Sequence, residues 1–215
     1  MYHGEDPTDF LVRELEQTIA RIGANNIAAM IGEPIMGGAG VIIPPAGYWP
    51  RIRELLTAHG ILLIADEVIT AFGRAGSWFA SESFGMDSDI IITAKGLTSG
   101  YAPLGAVLMR DAIGEVITGS DMHFFHGQTY SGHPVSCAVA LANLDLLARE
   151  GLLERASSIG DWFRADLAPL AGHPIVGDIR ITGAMIGIEL IADPRTMEPQ
   201  PFDAVVAIVD ELKAR

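Results

Sequence analysis

Apolar positions along the first two thirds of the chain fall into two alternating rhythms. Leu11, Leu15, Ile19 and Ile22 recur at helical spacing behind Thr8-Asp9, which predicts an amphipathic helix over about residues 8–23. A short apolar run from Ile27 to Ile31 predicts a strand. Gly37-Gly38-Ala39-Gly40 and Pro44-Pro45 then break the chain before a second helix from about Tyr48 to His59, which Gly60 closes. Ile61-Leu62-Leu63-Ile64-Ala65 is apolar without alternation, the pattern of a parallel strand covered by helices on both faces. Two further strands are predicted at Ile90 to Thr93 and at Gly105 to Met109. This succession predicts an α/β fold with a doubly wound, mostly parallel sheet flanked by helices.

Beyond the last of these strands the rhythm changes. Val135, Val139, Leu146 and Leu147 mark a long helix from Pro134 to about Arg149. After Gly151 come a helix through Leu152 to Leu170, a strand near Met185 to Ile191, a Pro-rich loop from Asp193 to Pro201 and a last helix from about Phe202. Residues 151–215 therefore read as the beginning of a second, smaller α+β domain, and residues 1–150 as a larger one. No internal repeat or low-complexity stretch is visible.

Composition narrows the function classes. With 215 residues and 49% hydrophobic content the chain can bury a sizeable core. A formal net charge of -13 opposes a nucleic-acid groove, which needs a basic face to neutralise phosphates. No polybasic run points to a membrane surface, and no apolar stretch approaches spanning length. No charged-then-apolar leader follows Met1. The single Cys137 forms no internal disulfide, and no Cys/His spacing resembles a metal site, so a reducing, cytoplasmic compartment is the simplest expectation.

The candidate chemistry lies where strands end. In open α/β sheets ligands bind beyond the carboxyl ends of the strands. Three predicted strands are followed there by an ionisable residue: Glu33, Asp66 and Lys95. Lys95 is one of only two lysines, and it closes Ile90-Ile91-Ile92-Thr93-Ala94. An ammonium desolvated at such a place has a lowered pKa and yields the neutral amine that attacks a carbonyl, so Lys95 is a Schiff-base candidate. Each of the three is also open to a plainer reading: a lysine left at a strand end in a Lys-poor chain, or a carboxylate that caps a helix. Together they match what pyridoxal phosphate requires, an amine for the aldehyde and a carboxylate that keeps the pyridine nitrogen protonated. Rival chemistries lack their residues. Gly37-Gly38-Ala39-Gly40 does not have dinucleotide spacing, no Walker run is present, Ser131-Gly132-His133 sits in no nucleophile elbow, and the six histidines are scattered.

Five motifs in order carry a resemblance. They are Glu33-Pro34-Ile35-Met36-Gly37, Pro44-Pro45-Ala46-Gly47-Tyr48, the run Ala65-Asp66-Glu67-Val68-Ile69-Thr70-Ala71-Phe72-Gly73-Arg74, Thr93-Ala94-Lys95-Gly96-Leu97-Thr98-Ser99-Gly100-Tyr101, and Gln128-Thr129-Tyr130-Ser131-Gly132-His133-Pro134. From about Tyr2 to its end the chain resembles class III, fold-type I aminotransferases, most closely omega-transaminases that use pyruvate as acceptor. The resemblance implies pyridoxal 5'-phosphate held by Lys95 as the Schiff-base lysine, Asp66 on the pyridine nitrogen, Val68 against the ring and Glu33 in the pocket. It implies that Thr129 contacts the cofactor phosphate of a neighbouring subunit in a homodimer with shared sites. Amino-group transfer between a primary amine and a 2-oxo acid follows from it, with a class III aminomutase or racemase as the related alternative.

Two positions depart from the family pattern. Gly38 stands where ornithine- and aminobutyrate-type members carry a gating glutamate, which favours the amine/pyruvate branch. Ala71 replaces a usual glycine and is expected to crowd the turn after its strand. The resemblance also implies that the phosphate loop, the aromatic stacked on the cofactor and the mobile substrate-binding arginine lie outside this chain. It then covers the second half of the cofactor-binding large domain and the first part of the small one, and a catalytically inactive remnant or assembly module is the further alternative.

Overall fold

Asp6 and Pro7 open the first helix. The Asp6 carboxylate accepts the N–H groups of Thr8 and Asp9 at 2.9 and 3.1 Å, and Pro7, which has no N–H to lose, occupies the first helical position of α1 (Pro7–Ile22). The helix thus starts just ahead of the Thr8-Asp9 expected from the pattern. These elements belong to a computed structural model that describes residues 4–119 and 124–214; Tyr2, where the resemblance begins, lies outside them. A 3₁₀ turn over Ala24–Asn26 absorbs the apolar Ile27, so the first strand, β1 (Ala29–Gly32), begins later than expected. Helix α2 (Tyr48–Ala58) and strand β2 (Leu62–Asp66) follow as expected. A short helix α3 (Ala80–Phe84) leads to β3 (Ile90–Thr93), and β4 (Ala106–Met109) completes a four-stranded sheet.

The sheet has the order β1-β2-β3-β4, with the first three strands parallel and β4 antiparallel to β3. The reversal has a simple cause. Residues 94–105 hold one 3₁₀ turn, Lys95–Leu97, and no crossover helix, so the chain returns beside β3 in the opposite sense. Because β1, β2 and β3 are parallel neighbours, Glu33, Asp66 and Lys95 all follow the same edge of the sheet.

One face of the sheet carries the core. Leu63 and Ala65 of β2 pack with Ile19 of α1, with Trp49, Ile52 and Leu56 of α2, and with Met86. Gly32 is required there, because a Cβ would come within 2.7 Å of the Trp49 ring. The opposite face is bare. Register sets Ile31, Ile64, Ile90 and Met109 side by side across the four strands, with Asp66, Ile92 and Val107 in the next row. In these rows Ile31 remains 57% and Val107 58% exposed. The unbroken apolar run at 61–65 predicts cover on both faces; the described residues supply it on one.

Helix α4 (Asp111–Thr118), which the pattern does not predict, precedes α5 (Pro134–Arg149) and α6 (Leu152–Leu167). The α6 helix ends three residues before Leu170 and continues as a 3₁₀ turn that contains Pro169. The tail adds a hairpin of β5 (Val176–Thr182) and β6 (Met185–Asp193), then the two-residue β7 (Glu198–Pro199) inside the Pro-rich stretch, and α7 (Phe202–Ala214). β5 escapes prediction because a bulge between Val176 and Asp178 interrupts its alternation. No helix among the described residues is long and apolar enough to cross a membrane.

Candidate active site

A cleft of about 770 Å³ opens where the tail hairpin meets the loops that follow β1, β2 and β3. Its walls include Gly37, Val41, Ile69, Phe72, Lys95 and Met185. Apart from glycines, four cleft residues have positive φ: Val41 at 56°, Phe72 at 61°, Lys95 at 39° and Ser99 at 51°. For residues with a Cβ this is left-handed backbone that costs on the order of 1–3 kcal/mol each and persists only when the surroundings hold it. The Phe72 N–H donates to the Trp78 carbonyl at 2.7 Å and Gly73 N–H to Ser77 at 3.0 Å, closing one loop. Leu97 and Thr98 N–H donate to the carbonyls of Ala94 and Lys95, closing the lysine's own turn.

The cleft contains Lys95 and Arg74 and no carboxylate, so its walls are cationic although the chain is acidic overall. Lys95 itself is exposed. This corrects the expectation that the apolar run before it desolvates the amine. Ile90 to Thr93 are half-buried or buried by their places in the sheet, whereas Lys95 stands beyond the last ladder pair, Thr93 with Ala106, and faces the open cleft. No other side chain among the described residues hydrogen-bonds its amine, which leaves it available to a ligand.

Asp66 ends β2 and is half-buried, with Oδ1 accepting the Val68 N–H at 3.1 Å. It lies beside Ile92 on the bare face and does not line the lysine cleft, which its chain neighbour Ile69 does. Its second oxygen has no partner among the described residues. Val68, half-buried, follows directly. Glu33 is half-buried and accepts the Gly37 N–H at 3.0 Å; it lines a separate groove with Pro34, Tyr48 and Trp49. Burial pushes the Tyr48 phenol pKa up in that groove. Thr129 is exposed in the turn between Gln128 and Tyr130, which lines a third hollow with Tyr101 and Leu104. The fold thus aligns Glu33, Asp66 and Lys95 at one sheet edge, brings only Lys95 into the cleft, and sets Thr129 on another surface.

Of the two departures from pattern, Ala71 is buried without positive φ, so its methyl group imposes no backbone strain on the turn. A Cβ at Gly38 would meet nothing within 4 Å, so this part of the wall is open.

Two residues that sequence reasoning passed over hold the cleft together. Glu67 is fully buried; its carboxylate accepts the Thr70 hydroxyl at 2.5 Å and the N–H groups of Ala80 and Ser81 at 3.0 and 2.7 Å. Arg180, on β5, donates from Nε to the Gly40 carbonyl at 3.0 Å and from Nη1 to Asp178 and Glu189 at 2.7 and 2.6 Å. Desolvation pulls the guanidinium pKa down, but its bonds to Glu189 and Asp178 outweigh that and hold it above its ordinary value. Gly187 allows this approach, since a Cβ there would lie 2.3 Å from the Gly40 oxygen. Arg180→Ala is expected to cost about 1–2 kcal/mol, read as a lower urea midpoint with unchanged slope, because it strands the Gly40 carbonyl while the partly exposed carboxylates rehydrate. An unchanged midpoint would show the tie to be dispensable.

The residues present suit part of a pyridoxal phosphate site. Among the described residues a free amine and a carboxylate with an open oxygen stand at adjacent strand ends, without a cradle of backbone N–H groups for the phosphate around them.

Comparison with known proteins adds the context. The sequence profile of the family Aminotransferase class-III matches residues 2–213. A putrescine–pyruvate aminotransferase of Pseudomonas aeruginosa is 47% identical over 186 residues, which cover 86% of this chain and 41% of the relative. A thermostable (S)-enantioselective omega-transaminase from Thermomicrobium roseum superposes with a TM-score of 0.88 at 49% identity, over 91% of this chain and 44% of that one. An amine transaminase from an uncultivated Pseudomonas species, crystallised in the PLP-bound form, superposes with a TM-score of 0.89 at 46% identity, over 93% of this chain and 46% of that one. The chain spans less than half the length of the relatives it matches.

Proposed function

We propose, from the premise that this chain belongs to the class-III aminotransferases, that the whole protein of which it forms part transfers an amino group between a primary amine and a 2-oxo acid such as pyruvate. The observation that carries the reading is Lys95, an amine unpartnered among the described residues and held in strained backbone in the wall of a cleft, one strand away from the Asp66 carboxylate. Pyridoxal 5'-phosphate, when bound, supplies an aldehyde that condenses with an amine and a protonated ring that draws electrons from the substrate carbon. Lys95 Nζ would be the amine that takes the aldehyde and, once released, would take up and hold the proton from the substrate carbon that bears the amino group. Asp66 would hold the pyridine nitrogen and keep it protonated. Val68 would pack against the ring, and Glu33 shapes the pocket through its bond to Gly37.

Thr129, exposed and outside the lining of the lysine cleft, serves the phosphate of a second subunit, which makes the working unit a homodimer with shared sites. Residues 1–150 form the second half of the cofactor-binding domain and residues 151–215 the first part of the small domain. A lone Cys137 with no disulfide partner suits a cytoplasmic enzyme. The bare sheet face and the exposed Lys95 support assigning the activity to a longer polypeptide rather than to these 215 residues alone. Putrescine is named for one relative, and a small aliphatic amine is the substrate class we assign here.

Trapping tests the reading. Incubation of the full polypeptide with pyridoxal phosphate, borohydride reduction and peptide mapping should give one adduct, on Lys95. Asp66→Ala should weaken cofactor binding about ten- to a hundredfold, the equivalent of one lost hydrogen bond to a charged group at about 1.5–3 kcal/mol. Label spread over Lys213 and the amino terminus would overturn the assignment.

A further inference from the structure

We propose that Asn143 is a positioning residue for Lys95. It lies in the middle of α5, in line with Ser136, Ala140 and Leu147 on the buried stripe of that helix, where an apolar residue is the usual choice. Only 9% of it is exposed, and all of its side-chain hydrogen bonds go to the turn that carries the lysine. Nδ2 donates to the carbonyls of Gly96 at 2.9 Å and Leu97 at 3.1 Å, and Oδ1 accepts the Ser99 hydroxyl at 2.8 Å. The orientation of the amide is dictated by its partners, since two backbone carbonyls can only accept.

The bonds fall on a stretch whose two ends are strained. Lys95 at φ 39° and Ser99 at φ 51° bracket Gly96 and Leu97, and Ser99 is itself one of the bonded residues. The turn's own backbone bonds do not select this conformation. They run from Leu97 to Ala94, Thr98 to Lys95 and Ser99 to Gly96, each a local 3₁₀-type closure that ordinary negative φ also permits. Asn143 adds what the turn lacks, an external rigid element that fixes three of its polar groups at once. A helix therefore holds the backbone that aims the lysine, and residue 143 acts through Lys95 without touching the cleft, whose lining it does not join.

This inference rests on the reading of Lys95 as the cofactor-binding amine, and the test separates the two. Asn143→Leu keeps the branched heavy-atom skeleton, at somewhat greater bulk and with better helix propensity, while removing every bond; Asn143→Ala removes volume as well, and Ser99→Ala removes a single bond. Amide hydrogen exchange of this chain, which needs no cofactor, should show the amides of residues 97–101 exchanging about tenfold or more faster in Asn143→Leu, with α2 and β2 within about twofold of the parent. Ser99→Ala should move the same amides less. In the full polypeptide, the rate of borohydride-trapped adduct formation on Lys95 and kcat should each fall about tenfold or more, with KM for the amine little changed. Unchanged exchange at 97–101 in folded Asn143→Leu, or an acceleration spread evenly over the chain, would overturn the inference. Trapping on a residue other than Lys95 would overturn the cofactor reading instead, and the exchange result would still judge Asn143.

Discussion

Lys95→Ala in the full polypeptide is expected to lower amino transfer by at least about 10⁴-fold, because it removes both the nucleophile that takes the aldehyde and the group that moves the proton. Folding should be untouched. The side chain is exposed and bonds to no other side chain among the described residues, so its truncation deletes no packing and strands no polar atom. Alanine also fits the turn poorly or well for the same reason lysine does, since both carry one Cβ at φ 39°. Lys95→Arg is the sharper variant. It retains the cation but substitutes a guanidinium that stays protonated, and turnover should fall as far as in Lys95→Ala. Turnover assays with an amine and pyruvate, beside a melting curve of each variant, read the two effects separately. Normal turnover in Lys95→Ala would remove Lys95 from the chemistry, and normal turnover in Lys95→Arg alone would reduce it to an electrostatic role.

How far the sequence discloses this site depends on the range over which each feature is written. Glu33, Asp66 and Lys95 are legible because each ends a short apolar run, and parallel pairing of β1, β2 and β3 brings those ends to one edge. The exposure of Lys95 is not legible. An apolar run reports how a strand is packed along its length and carries no information about what stands opposite its end. The same limit explains the sheet, where apolar residues on both faces predict two covering layers and the described residues contain one. Asn143 and Arg180 are silent for another reason. The bonds of Asn143 span 44 to 47 positions and that of Arg180 to Gly40 spans 140, and an asparagine in a helix or an arginine in a strand has no local signature of such a partner. β5 is hidden by its bulge, which shifts the two-residue rhythm out of phase. The Asp66-Glu67 pair shows the ambiguity at its smallest scale. Two adjacent carboxylates look alike in the sequence, but a pleated strand sends neighbours to opposite faces. Asp66 falls on the bare face with Leu62 and Ile64, and Glu67 on the core side with Leu63 and Ala65.

That division makes Glu67 the most sensitive residue for stability. Its carboxylate is wholly buried, and among the described residues no arginine, lysine or histidine pairs with it; the charge is balanced by one hydroxyl and two N–H groups at the first turn of α3. Glu67→Ala leaves the Ala80 and Ser81 N–H groups and the Thr70 hydroxyl buried without an acceptor and opens a void beside them. The expected loss is about 3–5 kcal/mol, a large share of the roughly 5–15 kcal/mol that holds a typical domain folded. Glu67→Gln should cost less, about 1–3 kcal/mol. Its amide oxygen can replace the carboxylate oxygen that takes Thr70 and Ala80, but its NH₂ then confronts the Ser81 N–H, donor against donor. Urea or thermal unfolding should therefore rank the parent above Gln and Gln above Ala. The loss has a functional consequence, because Glu67 fixes the segment that runs from Asp66 through Phe72 to the cleft wall, and cofactor retention should fall in the same order. An Ala variant as stable as the parent would show that water reaches these donors. The buried carboxylate would then be a tolerated charge, and the wall of the cleft would owe its shape to the strained turn at Phe72 and its bond to Trp78 alone.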